Sequence, residues 1–505
     1  MGKHFILAVL SLQLHCALLV GAQHPPPTFD WAGAGTGSAE PWKVRLDATG
    51  NAVISGSLYT NLTVGSITFT NESSNGFALV VDPNGVPISG FQTIGSGSVQ
   101  LFSIPLPVGG FAYFGSLSGT VTMGSITRTK TSAGGENAFH AFTDDQGAVT
   151  SFEFADGNGH FDNFMDASVT PERDVIAGGQ FTSDSLQFGS NTLTNAVPEN
   201  GYDLMLVKFS STGQPLWARS YPASNDQFVD RLVVHSDGSI FISGHFGGDL
   251  VQTFQLGNVT LTNGGGYDVF VAKLGAAGEP IWARSFHQGD SDFSSGLAVS
   301  QTGDVFSTAT LNFQTVQLDK YDASGQLLWQ FATPTNITAT AYSVHVGFDG
   351  EAYICGSHDG YAAIWKINDQ GNLVWLKLVE GPRPHWFVDL AIDQTGPLTA
   401  FGSFSGDEVQ LDGITLAAQD RPLGNSSPFF ARLSADPPAL RQHRFGTDLV
   451  LSWPTNQPSF QLEANQLSLL PEAWQTIPFT IRNSRFESTN SPIGPGRVFR
   501  LRKNE

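Results

Sequence analysis

The sequence predicts an all-β protein, a seven-bladed β-propeller closed by an N-terminal strand in its last blade and followed by a small β-sandwich. Three observations lead to this fold class. Glycine, a turn residue, occurs 56 times in 505 residues, and only 14% of the chain is charged, which argues against disorder and long exposed helices. A Gly-x-x-x-Trp pattern recurs at regular spacing between short alternating stretches. The net charge changes sign near the C-terminal end.

The first 22 residues have the pattern of a secretory signal peptide. Lys3 and His4 precede an apolar run from Phe5 to Val20, and small residues follow at Gly21 and Ala22. An uncleaved membrane anchor is the alternative, but the run is short for a bilayer span and contains polar residues. No comparable run follows, so we expect a secreted or cell-surface protein with residues 1–22 removed and no transmembrane segment left after cleavage.

Residues 23–437 contain the repeat. In four successive units a turn glycine precedes a tryptophan by four residues, and the next turn glycine follows that tryptophan by 21 residues. The four pairs are Gly213 and Trp217, Gly278 and Trp282, Gly325 and Trp329, and Gly371 and Trp375. Weaker copies nearer the N-terminus bring the number of units to seven. Each unit reads as four short strands separated by Gly, Asp and Asn turns, which is the pattern of a propeller blade.

The two ends of the array predict a closed ring. The segment Phe29-Asp30-Trp31-Ala32 resembles an isolated fourth strand, whereas the last unit reaches Phe429-Phe430-Ala431-Arg432-Leu433 without a tryptophan strand of its own. The first strand would therefore complete the last blade. Such an overlap leaves no open sheet edge at the junction.

Five units carry an extra segment between their second and third strands. The clearest copy is Leu256-Gly257-Asn258-Val259-Thr260-Leu261-Thr262, and units five and six lack it. We interpret each segment as a small hairpin on one rim of the ring. The two shorter units then leave a notch that either receives a partner or reflects a difference in length alone.

The repeat resembles the secreted bacterial propeller repeats known as SBBP repeats. The resemblance covers about Phe29 to Pro437 and is carried by the segment at 256–262, by Tyr267-Asp268-Val269-Phe270-Val271-Ala272-Lys273-Leu274, and by Gly278 with Trp282. It implies an extracellular bacterial propeller and supplies no catalytic residue. Units one and two depart from the pattern, with Ser89 and Ser151 in place of the tryptophan.

Residues 438–505 read as a separate module. They hold eight Lys or Arg and five Asp or Glu, a net charge of +3 in a chain whose total is −20. Alternating runs such as Leu449-Val450-Leu451-Ser452-Trp453 suggest a small β-sandwich. The module is similar to C-terminal domains of large secreted bacterial proteins, which implies either sorting and surface attachment or a passive spacer.

Composition and motifs exclude several function classes. Two cysteines rule out a disulfide scaffold and a Cys-rich metal protein, and the acidic balance makes nucleic acid an unsuitable partner. No hydrolase elbow, phosphate-binding loop or zinc-protease motif is present, so we predict a non-enzymatic protein without an organic cofactor.

Calcium is the one ion that the sequence offers ligands for. Oxygen-bearing side chains cluster in the loops that join one unit to the next. The candidates are Asp156, Asn158, Asp162, Asp226, Asp290 and Asp292. None matches an EF-hand loop, and Asp and Asn also stabilise turns locally, so a structural role is the alternative.

Two tryptophans lie outside the repeat position. Trp42 and Trp386 precede the predicted innermost strands of blades one and seven, where they could form an aromatic shelf for a sugar ring. The alternative is a hydrophobic plug, with Phe228 and Phe293 in similar places. The leading hypothesis is therefore a secreted or cell-surface binding scaffold for an extracellular glycan or protein at the loop rim, and the alternative is a polysaccharide hydrolase or lyase that uses rim carboxylates.

Overall fold

A computed structural model describes residues 26–503, apart from 72, 74, 131–134, 156, 197–200, 222, 224–225, 249–252, 287–291, 394, 419–425, 436–440, 446–447, 455–459, 467–474, 483–484 and 491–496. Every regular element in the described residues is a β-strand. Accordingly, no helix in these ranges is long and apolar enough to cross a membrane. The chain divides into two compact units, one containing Thr28–Asp393 and Leu398–Ser434 and the other containing Ala435–Glu505.

The first unit contains 39 strands in its described residues. Its first part contains β1 (Phe29–Ala34), β2 (Ala39–Leu46), β3 (Ala52–Leu58), β4 (Leu62–Val64), β5 (Ile67–Phe69), β6 (Gly76–Val81), β7 (Pro87–Gln92), β8 (Ile94–Gly95), β9 (Val99–Pro105), β10 (Phe111–Leu117), β11 (Thr120–Met123), β12 (Ile126–Thr129), β13 (Asn137–Thr143) and β14 (Val149–Phe154). Its middle part contains β15 (Asp162–Val169), β16 (Val175–Phe181), β17 (Ser185–Phe188), β18 (Asn191–Thr194), β19 (Asp203–Phe209), β20 (Pro215–Tyr221), β21 (Asp226–Val234), β22 (Ile240–Gly248), β23 (Thr253–Leu256), β24 (Val259–Thr262), β25 (Gly266–Leu274) and β26 (Pro280–Phe286). Its last part contains β27 (Asp292–Val299), β28 (Val305–Leu311), β29 (Thr315–Tyr321), β30 (Leu327–Ala332), β31 (Ala339–Val346), β32 (Ala352–His358), β33 (Tyr361–Ile367), β34 (Leu373–Leu378), β35 (His385–Ile392), β36 (Leu398–Phe404), β37 (Glu408–Leu411), β38 (Ile414–Ala417) and β39 (Ser427–Leu433).

The described strands of this unit form seven four-stranded antiparallel sheets, numbered here as sheets 1 to 7 in chain order. Their strand orders are β2-β3-β6-β7, β9-β10-β13-β14, β15-β16-β19-β20, β21-β22-β25-β26, β27-β28-β29-β30, β31-β32-β33-β34 and β35-β36-β39-β1. In sheets 1 to 6 the order of the four strands across the sheet is the same as their order along the chain. In sheet 7 the outer strand is β1, which pairs with β39 with Trp31 opposite Arg432.

Five sheets carry the predicted insertion as a two-stranded hairpin. These hairpins are β4-β5, β11-β12, β17-β18, β23-β24 and β37-β38, and β8 pairs with β11. Their positions confirm the five segments expected from the sequence. In the described residues of sheets 5 and 6, a short turn joins the second strand to the third instead.

The first strand of each sheet contacts the first strand of its neighbours. Strand β2 contacts β9, and the series continues through β15, β21, β27, β31 and β35, which in turn contacts β2. Apolar side chains pack between consecutive sheets, as where Ile176 and Leu206 of sheet 3 meet Val229 and Phe270 of sheet 4. Sheets stacked side by side around their first strands form a β-propeller.

The second unit contains seven strands in its described residues, and they form two antiparallel sheets. The strands are β40 (Arg441–Phe445), β41 (Asp448–Pro454), β42 (Phe460–Gln466), β43 (Gln475–Thr476), β44 (Thr480–Arg482), β45 (Arg485–Asn490) and β46 (Arg497–Lys503). One sheet has the order β40-β41-β45-β44 and the other β43-β42-β46. Val450, Leu451 and Leu462 are buried in this unit.

Candidate functional site

A bulge interrupts the first strand of six sheets and sets which side chains line the centre of the propeller. Each bulge places one extra residue opposite the second strand. The register shifts lie at Pro41/Lys43, Phe164/Asp166, Val229/Arg231, Ser294/Gly296, Ala341/Ser343 and Phe387/Asp389. Residues at and just after these bulges line a cavity of about 240 Å³.

Ionisable side chains from five first strands meet in this cavity. We call them the cavity cluster: Lys43, Arg45, Asp166, Arg231, His345 and Asp389. Arg45 joins the two carboxylates, with Nη2 at 3.1 Å from Asp166 Oδ1 and Nη1 at 2.9 Å from Asp389 Oδ2. His345 Nε2 lies 3.2 Å from Asp389 Oδ1. The cluster therefore links strands that are up to 346 residues apart in the sequence.

Backbone donors complete the surroundings of both carboxylates. Leu232 N donates to Asp166 and Val44 N donates to Asp389, each at 3.0 Å. Burial by itself would raise the pKa of Asp166, but the charges of the neighbouring Lys43 and Arg45 outweigh it and keep this pKa below its usual value. For Asp389, burial is likewise outweighed, here by the hydrogen bond with His345 and the charge of Arg45, and its pKa is strongly lowered. Both carboxylates are therefore ionised in the folded protein.

A second group of side chains lies at the end of the sheets that carries the hairpins. We call it the rim aromatic patch: Tyr202, Phe228, His245, Tyr267, Phe293 and Phe313. Phe228 stacks on the His245 ring with centroids 4.3 Å apart and planes inclined by 13°. His245 Nδ1 lies 2.8 Å from Asp230 Oδ2, which orients the ring. The patch thus combines aromatic faces with a carboxylate across sheets 3, 4 and 5.

Phe313 is the most exposed member of the patch, at 64% of its surface. It lies in the tight turn that replaces the hairpin in sheet 5, where Gln314 N donates to Leu311 O at 3.0 Å. The φ angles of Asn312 and Phe313 are 50° and 56°. Two positive values identify a type I′ turn, whose second central position favours glycine. A bulky side chain at this position strains the backbone. The ring of Phe313 contacts the ring of Phe293, with their centroids 5.2 Å apart.

Trp386 and Trp42 lie within first strands, whereas the sequence placed them before those strands. Trp386 is the second residue of β35 and pairs with Ser403, at the same distance from the bulge as Phe293 in β27. Trp42 is the bulge residue of β2, and both indoles are half-buried. No ring contact joins the two tryptophans in the described part of the chain. The shared aromatic shelf stays a prediction.

All four calcium candidates in the described residues take part in hydrogen bonds within the protein. Asp162 begins β15, is fully buried, and accepts from Thr182 N at 3.0 Å and Ser183 N at 3.1 Å. Asp292 begins β27 and accepts from Asn312 N at 3.2 Å. In both sheets the carboxylate thus fixes the chain just after the second strand.

The other two described candidates, Asp226 and Asn158, bind other partners. Asp226 accepts from Tyr202 N at 3.1 Å and from the Tyr267 hydroxyl at 2.8 Å, while Asn158 exchanges two hydrogen bonds with Asp184. Asp156 and Asp290 lie outside the described residues. Across the described ranges, no three His, Cys, Asp or Glu side chains come together as a metal site.

The local sequence patterns did not predict the cavity cluster or the exposure of Phe313. A signal for the cluster was present, because Lys43, Asp166, Arg231 and Asp389 occupy the same position after the bulge in four different sheets. Aligning the units on their first strands would have shown a charged residue recurring there. Phe313 carried no such signal, since its exposure depends on the missing hairpin.

Comparisons with known proteins give distant structural likenesses. No protein-family model matches the chain, and no curated protein matches it. Among solved structures, the Pan2 WD40 domain of Neurospora crassa is similar over 78% of this chain and 89% of its own, with 9% identity and a TM-score of 0.42. The β-propeller domain of the Trilobed protease from Pyrococcus furiosus is similar over 75% of this chain and 97% of its own, with 9% identity and a TM-score of 0.41.

An enzyme is also among these structures. The PQQ-bound aldose sugar dehydrogenase of Streptomyces coelicolor is similar over 81% of this chain and 99% of its own, with 10% identity and a TM-score of 0.36. At this distance neither residues nor activities transfer to this chain. The description of the first unit as a propeller rests on its own sheets.

Proposed function

We propose that this chain is a secreted, seven-bladed β-propeller that binds an extracellular glycan at the rim aromatic patch without transforming it. The C-terminal module is then a small β-sandwich that attaches or spaces the propeller. The observation that carries the binding proposal is Phe313, an aromatic side chain exposed at a backbone position that favours glycine. Strained positions persist mainly where function requires the side chain.

Pairing between the two ends of the array supports a closed ring. Strand β1 supplies the outer strand of sheet 7, and the Trp31 indole Nε1 donates to Pro83 O in sheet 1 at 3.0 Å. In addition, β2 of sheet 1 contacts β35 of sheet 7. A ring of seven blades accounts for all three relationships. Secretion is supported by the apolar run at residues 5–20 and by the resemblance to SBBP repeats, and the signal segment lies outside the described residues.

The patch has the composition that sugar recognition uses. Pyranose rings stack their C–H faces on aromatic rings, and neighbouring carboxylates and imidazoles accept or donate hydrogen bonds to hydroxyl groups. Phe313 and Phe293 provide adjoining faces, and Asp230 with His245 provides polar groups beside Phe228. The absence of the hairpin from sheet 5 leaves Phe313 open to solvent.

A glycan hydrolase or lyase would require two carboxylates facing each other across a groove with room for the sugar. Among the described carboxylates, Asp162 instead holds the backbone at Thr182 and Ser183, and Asp230 is engaged by His245. This bonding pattern favours binding over catalysis.

A glycan and polysaccharide array tests the proposal directly. The mature protein is applied with and without calcium, and both retention and released products are measured. Phe313→Gly should abolish retention while leaving the fold intact, because glycine suits the turn. Phe348→Gly is the matched control, since Phe348 is 49% exposed in a turn between the first two strands of sheet 6, at the opposite end of the sheets.

The outcomes separate the alternatives. Retention that survives Phe313→Gly but is lost in Trp42→Ala or Trp386→Ala would move the site to the predicted tryptophan shelf. Product release would establish the hydrolase or lyase alternative, and calcium dependence would implicate the Asp loops. Absence of retention on every glycan would contradict glycan binding and leave a protein ligand at the rim.

A further inference from the structure

Lys43 brings an ammonium group into the central cavity without a hydrogen bond. Its side chain is only 5% exposed, and its Nζ lies 3.3 Å from Asp166 Oδ1. That oxygen already accepts from Arg45 Nη2 and from Ala167 N, each at 3.1 Å. Lys43 Nζ has no hydrogen-bond partner among the described residues. An ammonium group has three donors, so this one can still bind an acceptor in the cavity.

Arg231 is another cation of the cavity, and backbone oxygens rather than a carboxylate hold it. Its Nη1 and Nη2 donate to the backbone oxygens of Asp230 and Tyr342. In the described residues it forms no ion pair with an acidic side chain. Like Lys43, it lines the cavity.

The charges of the cavity cluster do not balance. When Lys43 is protonated, Lys43, Arg45 and Arg231 contribute three positive charges, whereas Asp166 and Asp389 contribute two negative ones. Arg45 is shared between both carboxylates, so the surplus falls on Lys43 and Arg231. The buried Lys43 has only one ion-pair contact, at 3.3 Å from an oxygen that Arg45 also binds, and an anion beside it would offset the cost of burying its charge.

We propose that the central cavity binds a small oxyanion, a carboxylate or a tetrahedral anion such as sulfate or phosphate, held by Lys43 and Arg231. The cavity volume of about 240 Å³ is below the roughly 300–1,000 Å³ typical of pockets for larger organic ligands, which restricts the ligand to a small one. A metal cation is disfavoured by the positive surplus. This site is separate from the rim aromatic patch and does not depend on glycan binding.

The protonation of Lys43 couples this site to pH. Burial and the charges of Arg231 and Arg45 lower the pKa of Lys43 to about 7, although Asp166 and Asp389 act in the opposite direction. Binding of an anion beside the ammonium group favours its protonated form. The protein should therefore take up a proton on binding near neutral pH, and its affinity should fall as the pH rises above about 7.

Isothermal titration calorimetry of the mature protein with sodium sulfate, and separately with sodium acetate, tests this site. Both anions keep their charge between about pH 6 and pH 9, so a pH effect on binding arises in the protein. We expect one bound anion at about pH 6 and an affinity weaker by about tenfold or more at pH 8.5. At about pH 7.5, where much of Lys43 is deprotonated before binding, comparing two buffers of different ionisation enthalpy should show proton uptake. The anion that binds more tightly distinguishes a tetrahedral ligand from a carboxylate.

Lys43→Met removes the charge while keeping most of the length of the side chain, and it should abolish binding. Lys273→Met is the matched control, because Lys273 lies over the Phe241 ring at 5.3 Å and does not line the cavity. Failure of both anions to bind the unaltered protein at about pH 6 would overturn the proposal. Unchanged affinity in Lys43→Met, or binding without proton uptake, would equally overturn it, and the uptake measurement needs no variant to fold.

Discussion

The indole ring of Trp31 occupies the space that a side chain on Gly85 would need. A Cβ atom on Gly85 would lie 2.7 Å from the ring, closer than a real Cβ contact, and the φ of this glycine is 85°. The same relationship holds between Gly325 and Trp282 and between Gly371 and Trp329, in each case with the tryptophan one sheet before the glycine. For these three glycines the turn rests on a tryptophan of a neighbouring sheet, so packing accounts for this part of the Gly-x-x-x-Trp period, whereas Gly278 rests on Arg219 and Tyr221 instead.

This packing predicts unequal costs for two otherwise matched glycine substitutions. Gly371 and Gly147 occupy the same turn in their sheets, with φ of 82° and 81°. The sheet before Gly147 has Ser89 in place of the tryptophan, and no atom lies within 4 Å of the position that a Cβ on Gly147 would occupy. Gly147→Ala should lower the free energy of unfolding by about 1 kcal/mol through backbone strain alone. Gly371→Ala should lower it by a further 1–3 kcal/mol or so through the clash with Trp329. Urea denaturation of both variants provides the comparison, and equal losses would contradict the packing account.

Replacing Phe313 by glycine should stabilise the fold. The turn would then have the Asn-Gly sequence that type I′ turns favour, and an exposed side chain contributes little burial. We expect an increase of about 0.5–1 kcal/mol in the free energy of unfolding, measured by urea denaturation. A decrease in the free energy of unfolding would mean that the ring contact with Phe293 outweighs the backbone strain. It would weaken the proposal that Phe313 is kept at this position for binding.

His140 predicts a loss of stability in mild acid. It is 4% exposed, its ring lies 4.3 Å from Phe209, and burial lowers its pKa to about 4. Between about pH 6.5 and pH 4, His140 therefore binds a proton in the unfolded chain but not in the folded protein. The free energy of unfolding falls as the pH decreases through this window. The contribution is roughly 3 kcal/mol for a shift of this size.

His140→Phe isolates this contribution, because other groups also titrate in the same range. The variant keeps a ring at the site and cannot be protonated. Chemical denaturation at several pH values should show a shallower loss in His140→Phe than in the unaltered protein. Parallel curves between pH 6.5 and pH 4 would contradict the prediction.

The thiol of Cys355 should be unreactive until the propeller unfolds. This residue is fully buried in β32, and burial raises the pKa of its thiol well above the ordinary value, so the reactive thiolate is scarce. An aromatic disulfide reagent should label the native protein slowly and the protein in guanidinium rapidly. Under denaturing conditions one thiol per chain is expected if residues 1–22 are removed and two if Cys16 is retained. Rapid labelling of the native protein would contradict the buried placement.

Much of the fold was predictable because its signals are local. Turn glycines, period-two alternation and the recurrent tryptophan lie within a few residues of each other, and the structure places them in the expected strands, as with Ile240–Gly248 and Gly266–Leu274. The five hairpins were identified for the same reason. The two tryptophans at 42 and 386 were placed less accurately, since strand boundaries are weakly encoded and both first strands begin earlier than expected.

The candidate sites depended on relationships that local patterns do not carry. The sequence by itself determined a seven-fold repeat of four short strands and the residue types in each loop. Only the tertiary structure brought Lys43, Asp166 and Asp389 together from three distant strands. A bulge precedes each of these residues, and the extra residue in the bulge reverses the side of the sheet that the following residues face. Likewise, only the tertiary structure brought backbone N–H groups beside Asp162 and Asp292, and calcium binding by these carboxylates stays a prediction.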